Sequence, residues 1–200
     1  MAAKGGREYE NLWGYRVGKL PEGMPGRRLP WIDLRLGAHR YHKRATRTPE
    51  YLAKFPQGQV PAIEFDDGRC LSQSNAIMRY LARGSPLPPE DAWAQAKIDE
   101  WLFWEQYSHE PYIAVCRFQM LYQGKPRAAR EAWRVERGEK AFDLMEGQLV
   151  GREWLATGRF TIADIALLPY SRLAHEGGFD LSGRPGLTAW ISRCENALGA

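Results

Sequence analysis

QGQVPAIEFDDGRCLSQSNAIMRYLAR, residues 57–83, changes its periodicity along its length. Gln59 to Asp66 is a short apolar run holding Val60, Ile63 and Phe65, and it predicts a strand. Asp66-Asp67-Gly68 predicts a hairpin turn, with Gly68 free to take positive φ. Arg69 to Ser72 is the returning strand. From Ser74 the spacing becomes helical, with Ala76, Ile77, Tyr80 and Leu81 on one face. A hairpin therefore runs directly into a helix that begins with a hydroxyl.

That junction has chemical consequences. A helix N-terminus offers free N–H groups and partial positive charge, so it receives a carboxylate well. Ser74 either caps the helix or hydrogen-bonds an anion there, and Gln73 brings an amide to the same point. Pro61 has no N–H and suits the start or edge of a sheet. A cis Val60–Pro61 bond would turn the Val60 N–H and C=O outward, toward a peptide laid alongside. The expected ligand is a small extended peptide with a free α-carboxylate.

GQVPAIEFDDG followed by LSQSNAIMRYLA resembles the glutathione-binding half of the cytosolic glutathione transferases. WLFWEQYSHEPYIAVCRF and GRFTIADIALLPY resemble the helical half of bacterial members, in family order. The likeness covers roughly residues 46–197. It implies an α+β protein, with a thioredoxin-like glutathione-binding domain over residues 1–84 and an all-helical domain over 90–200. It also implies a homodimer in which domains of opposite subunits touch. Glutathione is the implied co-substrate, its sulfur adding to an apolar electrophile. Gln73 and Ser74 would hold the γ-glutamyl end, the Val60 backbone the cysteinyl unit, and Gln59 would lie near the glycyl end.

Composition bounds the rest. Two hundred residues allow two small domains with real cores. The net charge of +4 is modest, and its cluster Arg27, Arg28, Arg35, Arg40, Lys43, Arg44, Arg47 reads as a solvated surface; no nucleic-acid motif accompanies it. Cys70, Cys116 and Cys194 are widely separated, which predicts neither disulfide scaffold nor zinc site and fits a reducing cytoplasm. No metal site, nucleic-acid partner, membrane span or apolar signal region is expected.

The segment before residue 50 departs from the family. NLWGY, Asn11 to Tyr15, reads as a first strand, but Pro21, Pro25 and Pro30, with Gly18, Gly23 and Gly26, oppose the helix that should follow. Leu29 to Leu36 reads as a second strand. No Ser or Cys occurs before Cys70, so of the serine, cysteine and tyrosine versions of the family's mechanism only the tyrosine one remains. Tyr15 is the candidate catalytic residue and Tyr9 the second. The competing expectation is a catalytically impaired protein of this fold, acting by binding or as a scaffold. A third is that residues 1 to about 45 are not the functional N-terminus.

Thr48-Pro49-Glu50 predicts a helix start, with Tyr51, Leu52 and Phe55 as the residues that short helix buries. GSPLPPED, after Arg83, predicts a domain break. Trp93, Ala96, Ile98, Trp101, Leu102, Trp104 and Tyr107 recur at helical spacing and predict a core stripe, with a kink at Pro111. By the resemblance, Tyr107, His109, Tyr112 and Phe118 would wall the electrophile pocket. Residues 126–150 predict a helix with Trp133, Ala141, Phe142, Leu144, Met145 and Leu149 inward. FTIAD, Phe160 to Asp164, predicts a capping box, and Pro185 to Asn196 a last helix, with Cys116 and Cys194 as small buried residues.

Overall fold

The computed structural model describes residues 45–65 and 67–198. The expected strands at Asn11–Tyr15 and Leu29–Leu36, with Tyr9, Tyr15 and Asp66, lie outside the described residues.

Helix α1, Pro49–Lys54, starts as its sequence dictates. Thr48 Oγ1 accepts from Tyr51 N at 3.2 Å, and Pro49 takes a position that needs no N–H donor. A hairpin follows, β1 (Ala62–Glu64) against antiparallel β2 (Cys70–Ser72), with Ala62 opposite Ser72 and Ile63 opposite Leu71. β1 is shorter than the apolar run. Pro61 has no N–H for a ladder, so pairing begins after it, and the Val60–Pro61 peptide is cis. The turn closes through Gly68 N to Phe65 O (2.8 Å), with Gly68 at φ +80°.

Helix α2, Ser74–Leu81, has two working faces. Tyr80 stacks on Phe65 of the hairpin, ring centroids 5.1 Å apart. Asn75, Met78, Arg79 and Ala82 turn the other way. Met78 and Ala82 join the helical core, Arg79 pairs with Asp99, and Asn75 donates to the Leu102 carbonyl at 2.9 Å. This spacing of three and four residues is one helix stripe.

Helix α3, Ala92–Trp104, is capped by Asp91, which accepts from Ala94 N at 2.7 Å. The expected core stripe is only partly realised. Ile98, Trp101 and Leu102 are buried, but Trp93 is 75% exposed and Tyr107 80%. Apolar residues occur on every side of α3, so periodicity could not select the buried side; α6 packs on one face, with Arg79 and Asn75 of α2 reaching Asp99 and the Leu102 carbonyl. The expected kink appears as a π turn, Glu105–His109, in which Glu110 N reaches back to Glu105 O. Pro111 sits in the first turn of α4, Glu110–Tyr122, and cannot donate to a carbonyl one turn back, so the chain widens there.

The predicted helix over 126–150 is α5, Ala132–Gln148, preceded by a short 3₁₀ turn at Arg127–Ala129. Phe142 and Met145 are fully buried, while Trp133 and Leu144, expected inside, are half exposed. α6, Ile162–Arg172, and α7, Pro185–Leu198, complete the bundle. Ile113, Cys116, Phe142, Leu167, Leu168, Leu187, Trp190 and Cys194 form its centre. Glu146 of α5 caps α7, accepting from Gly186 N (3.0 Å) and Leu187 N (2.6 Å).

The box that starts α6 is present: Thr161 Oγ1 accepts from Ala163 N, and Asp164 Oδ2 accepts from Thr161 N at 2.9 Å. Asp164 also accepts from Leu155 N (3.1 Å), Thr161 Oγ1 (3.1 Å) and Trp190 Nε1 (2.9 Å). One carboxyl thus joins a loop, a helix start and the last helix. Burial pushes its pKa up, and these donors pull it back down.

Candidate functional site

The hairpin register decides which loops meet. Because Ala62 faces Ser72, Val60-Pro61 and Gln73-Ser74 leave the hairpin from the same end. A side-chain bond ties the two segments, Gln73 Nε2 donating to Gln57 Oε1 at 2.7 Å. Gln73 stands at φ +75°, a conformation that L side chains rarely adopt. Its side chain does not cap α2, and Ser74 is the first helical residue, so the expectation that Ser74 caps the helix is not met. The first N–H groups of α2 therefore have no side-chain cap, and the Ser74 hydroxyl stands beside them.

The loop before the cis bond is held from beneath. Tyr51 Oη donates to the Gln59 carbonyl at 2.7 Å, and burial raises the phenol's pKa, so it stays a donor at neutral pH. Arg47 Nη1 lies 3.4 Å from the Gln57 carbonyl. Gly58, at φ +61°, leaves room for that guanidinium; a Cβ there would come within 2.5 Å of Nη1. Of the four residues expected at this end, Gln59, Val60, Gln73 and Ser74, all belong to the two segments the hairpin brings together.

The opposite wall is arranged differently. Tyr107 projects into solvent. Tyr112 lies against α5, its hydroxyl accepting from Arg137 Nη1 at 3.1 Å. It lines an open cavity of about 210 Å³ with Trp104, Ser108, Arg137, Lys140, Ala141 and Leu144. His109 is not brought to any open wall. It is fully buried, against Phe142 and Trp104, with Nε2 3.1 Å from Ser171 Oγ. Ser171 gives its own proton to Leu167 O (2.7 Å), so the imidazole must carry its proton on Nε2. Burial drives the His109 pKa down to about 3, and the ring is neutral at neutral pH. Phe118, 36% exposed, lies on α4 and stacks on Tyr122. Among the described residues no cluster of His, Cys, Asp and Glu has the arrangement of a metal site.

Residues 38–83 match the family model of the glutathione S-transferase N-terminal domain, and residues 105–197 that of the C-terminal domain. A glutathione S-transferase structure from Pseudomonas fluorescens is 48% identical, superposes with a TM-score of 0.72, and shares 76% of each chain. Glutathione S-transferase 3 of Zea mays is 35% identical over 173 residues, 80% of this chain and 73% of that protein. The chain belongs to the glutathione S-transferase family. Elongation factor 1-gamma of Homo sapiens is also similar, 31% identical over 79% of this chain but only 37% of its own length. The family fold, a thioredoxin-like domain followed by a helical one, is therefore this chain's fold, with α1 to α2 in the first part and α3 to α7 in the second.

The hydrogen bonds of the fold bring forward four residues without a site signal in the sequence. Arg47 had been read only as part of a basic surface run, and Tyr51 only as an apolar residue of α1. Asn75 and Glu105 carried no signal at all, because they meet only through tertiary packing. No helix among the described residues is long and apolar enough to cross a membrane.

Proposed function

We propose that this protein binds glutathione at the end of the hairpin and adds its thiolate to an apolar electrophile. The observation that carries the reading is the joining of the 57–61 loop to the Gln73–Ser74 helix start, with that helix start uncapped. In this reading Ser74 and the free N–H groups of α2 receive the γ-glutamyl carboxylate, and Gln73 exchanges its bond to Gln57 for one to the ligand. The Val60 backbone pairs with the cysteinyl unit. Gln59 and Arg47 face the glycyl end, where a guanidinium suits a carboxylate. Residues 1–84 form the glutathione domain and 90–200 the helical one.

A free thiol has a pKa of about 8.5, so only a few per cent is thiolate at pH 7. Lowering it by two units needs about 2.7 kcal/mol of preferential stabilisation of the anion. One hydrogen-bond donor aimed at sulfur, in a site of low dielectric, supplies energy of that order. Tyr15 is the residue assigned that role, and Tyr107 and Tyr112 the electrophile side. The exposed Trp93, Phe103 and Tyr107 support a homodimer, since large apolar side chains left uncovered along α3 and the π turn are suited to a partner. The protein works in the cytoplasm in this reading, with detoxification as its role.

The test is calorimetric titration with glutathione, beside Ser74→Ala, followed by thiolate absorbance in the complex and in Tyr15→Phe. Binding that weakens about tenfold in Ser74→Ala, with a thiolate signal lost in Tyr15→Phe, is the expected result. Binding with no thiolate signal in the wild-type protein would favour the second reading, a binding or scaffold protein. The likeness to elongation factor 1-gamma is the observation behind that alternative.

A further inference from the structure

Asn75 follows Ser74 but works on the far side of α2, in the seam between the two domains. Its Nδ2 donates to the Leu102 carbonyl (2.9 Å) and to Glu105 Oε2 (3.1 Å), one on α3 and one on the π turn. Gln106 Nε2 donates to that same Glu105 oxygen at 2.7 Å and to Glu110 Oε2 at 2.7 Å. The cluster is short of donors. Its two carboxyls are served by two amide groups, and Asn75 Oδ1 is buried with no donor facing it. Glu105 itself is only 3% exposed.

Among the described residues no cation from the surrounding elements relieves this. Arg79 of α2 is engaged by Asp99 of α3. Arg134 of α5 is held by Glu131 and the Pro111 carbonyl, and Arg137 by the Tyr112 hydroxyl. Arg172 of α6 lies 3.9 Å from Glu195. His109, at the other end of the π turn, is neutral. Glu110 is the one charged group acting on Glu105 among the described residues, and its sign is the same. A buried carboxyl with a like charge beside it, and no cation among the described residues, is easier to bury with its proton than without it.

The geometry points to Glu105 as a positioning residue: bonded to Asn75, it holds the Ser74 end of α2 against the helical domain, and it is buried there in its protonated form. The inference rests on the glutathione reading for its consequence, because Ser74 is the residue so placed. Burial, and then the charge of Glu110, raise the Glu105 pKa to about 7 against the bonds from Gln106 and Asn75, which act to lower it; burial raises that of Glu110 as well. The sign follows. When the seam opens, Glu105 meets water and returns toward its ordinary value near 4.5. Opening therefore releases a proton between about pH 4.5 and 7, so the closed seam is favoured below that window and weakened as pH rises through it.

The test is amide hydrogen exchange of residues 74–82 between pH 5 and 8, corrected for the intrinsic pH dependence of exchange. In the wild-type protein the corrected opening should rise about tenfold or more from pH 5 to 7 and level off above it. Glu105→Gln, a neutral stand-in for the acid that keeps its shape, should show slow exchange with no such slope. Asn75→Ala should exchange fast at every pH, with thermal melting confirming that it is folded. A wild-type protein without the slope, or a slope that survives in Glu105→Gln, overturns the inference. Calorimetry with glutathione on the same samples separates the two readings. If the slope is present and glutathione does not bind, the transferase reading falls and the seam assignment stands.

Discussion

Helix α2 begins at Ser74 with no side-chain cap and with Gln73 at φ +75° before it, whereas α6 begins at Ile162 behind a box that leaves little unsatisfied. At α6, Thr161 and Asp164 are both fully buried, and Asp164 collects donors from the loop at Leu155, from Thr161 and from Trp190. At α2, the corresponding N–H groups receive no side-chain cap, and the Gln73 amide is bonded to Gln57 instead. Both starts are short polar motifs in the sequence, and both place partial positive charge at a helix end. The first is closed by the protein's own carboxylate. The second lacks one, and a ligand carboxylate is what would complete it. In the proposed reading, two helix starts of one chain separate a folding element from a binding element by whether the anion is supplied from within.

Substitutions at the two starts should diverge. The largest effect is expected for Asp164→Ala, which strands Leu155 N, Thr161 N and Trp190 Nε1 inside the core. A loss of about 3–5 kcal/mol is expected in denaturant unfolding, well beyond the ~1 kcal/mol of an ordinary exposed cap. Retention of most of the stability would show that the box is no more than a local cap. Ser74→Ala should do the reverse, changing unfolding free energy by less than about 0.5 kcal/mol while lowering glutathione affinity about tenfold. A Ser74→Ala protein that melts early yet binds normally would make α2 a folding element too. Gln73→Gly relieves a backbone conformation that costs a glutamine about 1 kcal/mol, so it should raise stability by about that amount and weaken binding. The smallest change is expected at an ordinary start: Thr48→Ala should cost about 0.5–1 kcal/mol, seen as a modest fall in melting temperature.

The pH dependence of stability sharpens the same contrast. Glu105, raised to about 7 in the folded protein, favours the fold below its ordinary value and costs stability as pH rises from about 4.5 toward 7. Glu105→Gln should therefore be the more stable protein at pH 8, by roughly 1–3 kcal/mol, and should lose that advantage by about pH 5. Equal stability at pH 8 would mean that water reaches the carboxyl.

The site was legible in part. Gln59, Val60, Gln73 and Ser74 lie within sixteen positions of one another, so strand, turn and helix start could be read as one unit. Tyr51 was named for its ring, but its hydroxyl acts on the Gln59 carbonyl eight residues on, across a loop whose course is not encoded in periodicity. The family resemblance sets His109, with Tyr107 and Tyr112, on a helix that walls an open pocket. The π turn ahead of Pro111 rotates that segment, sending His109 into the core and leaving Tyr107 in solvent.

What the sequence determined by itself was local. The Thr48–Pro49 start, the reversal at Gly68 and the Thr161–Asp164 box each close within four residues, where side-chain reach and backbone sterics leave few alternatives. Tertiary structure decided the rest. It selected which face of α3 is covered, gave Asp164 its bond to Trp190, and set Asn75 beside Glu105 thirty residues away. Those outcomes depend on which surfaces meet when water is expelled, and burial is a property of the assembled core rather than of any stretch of chain.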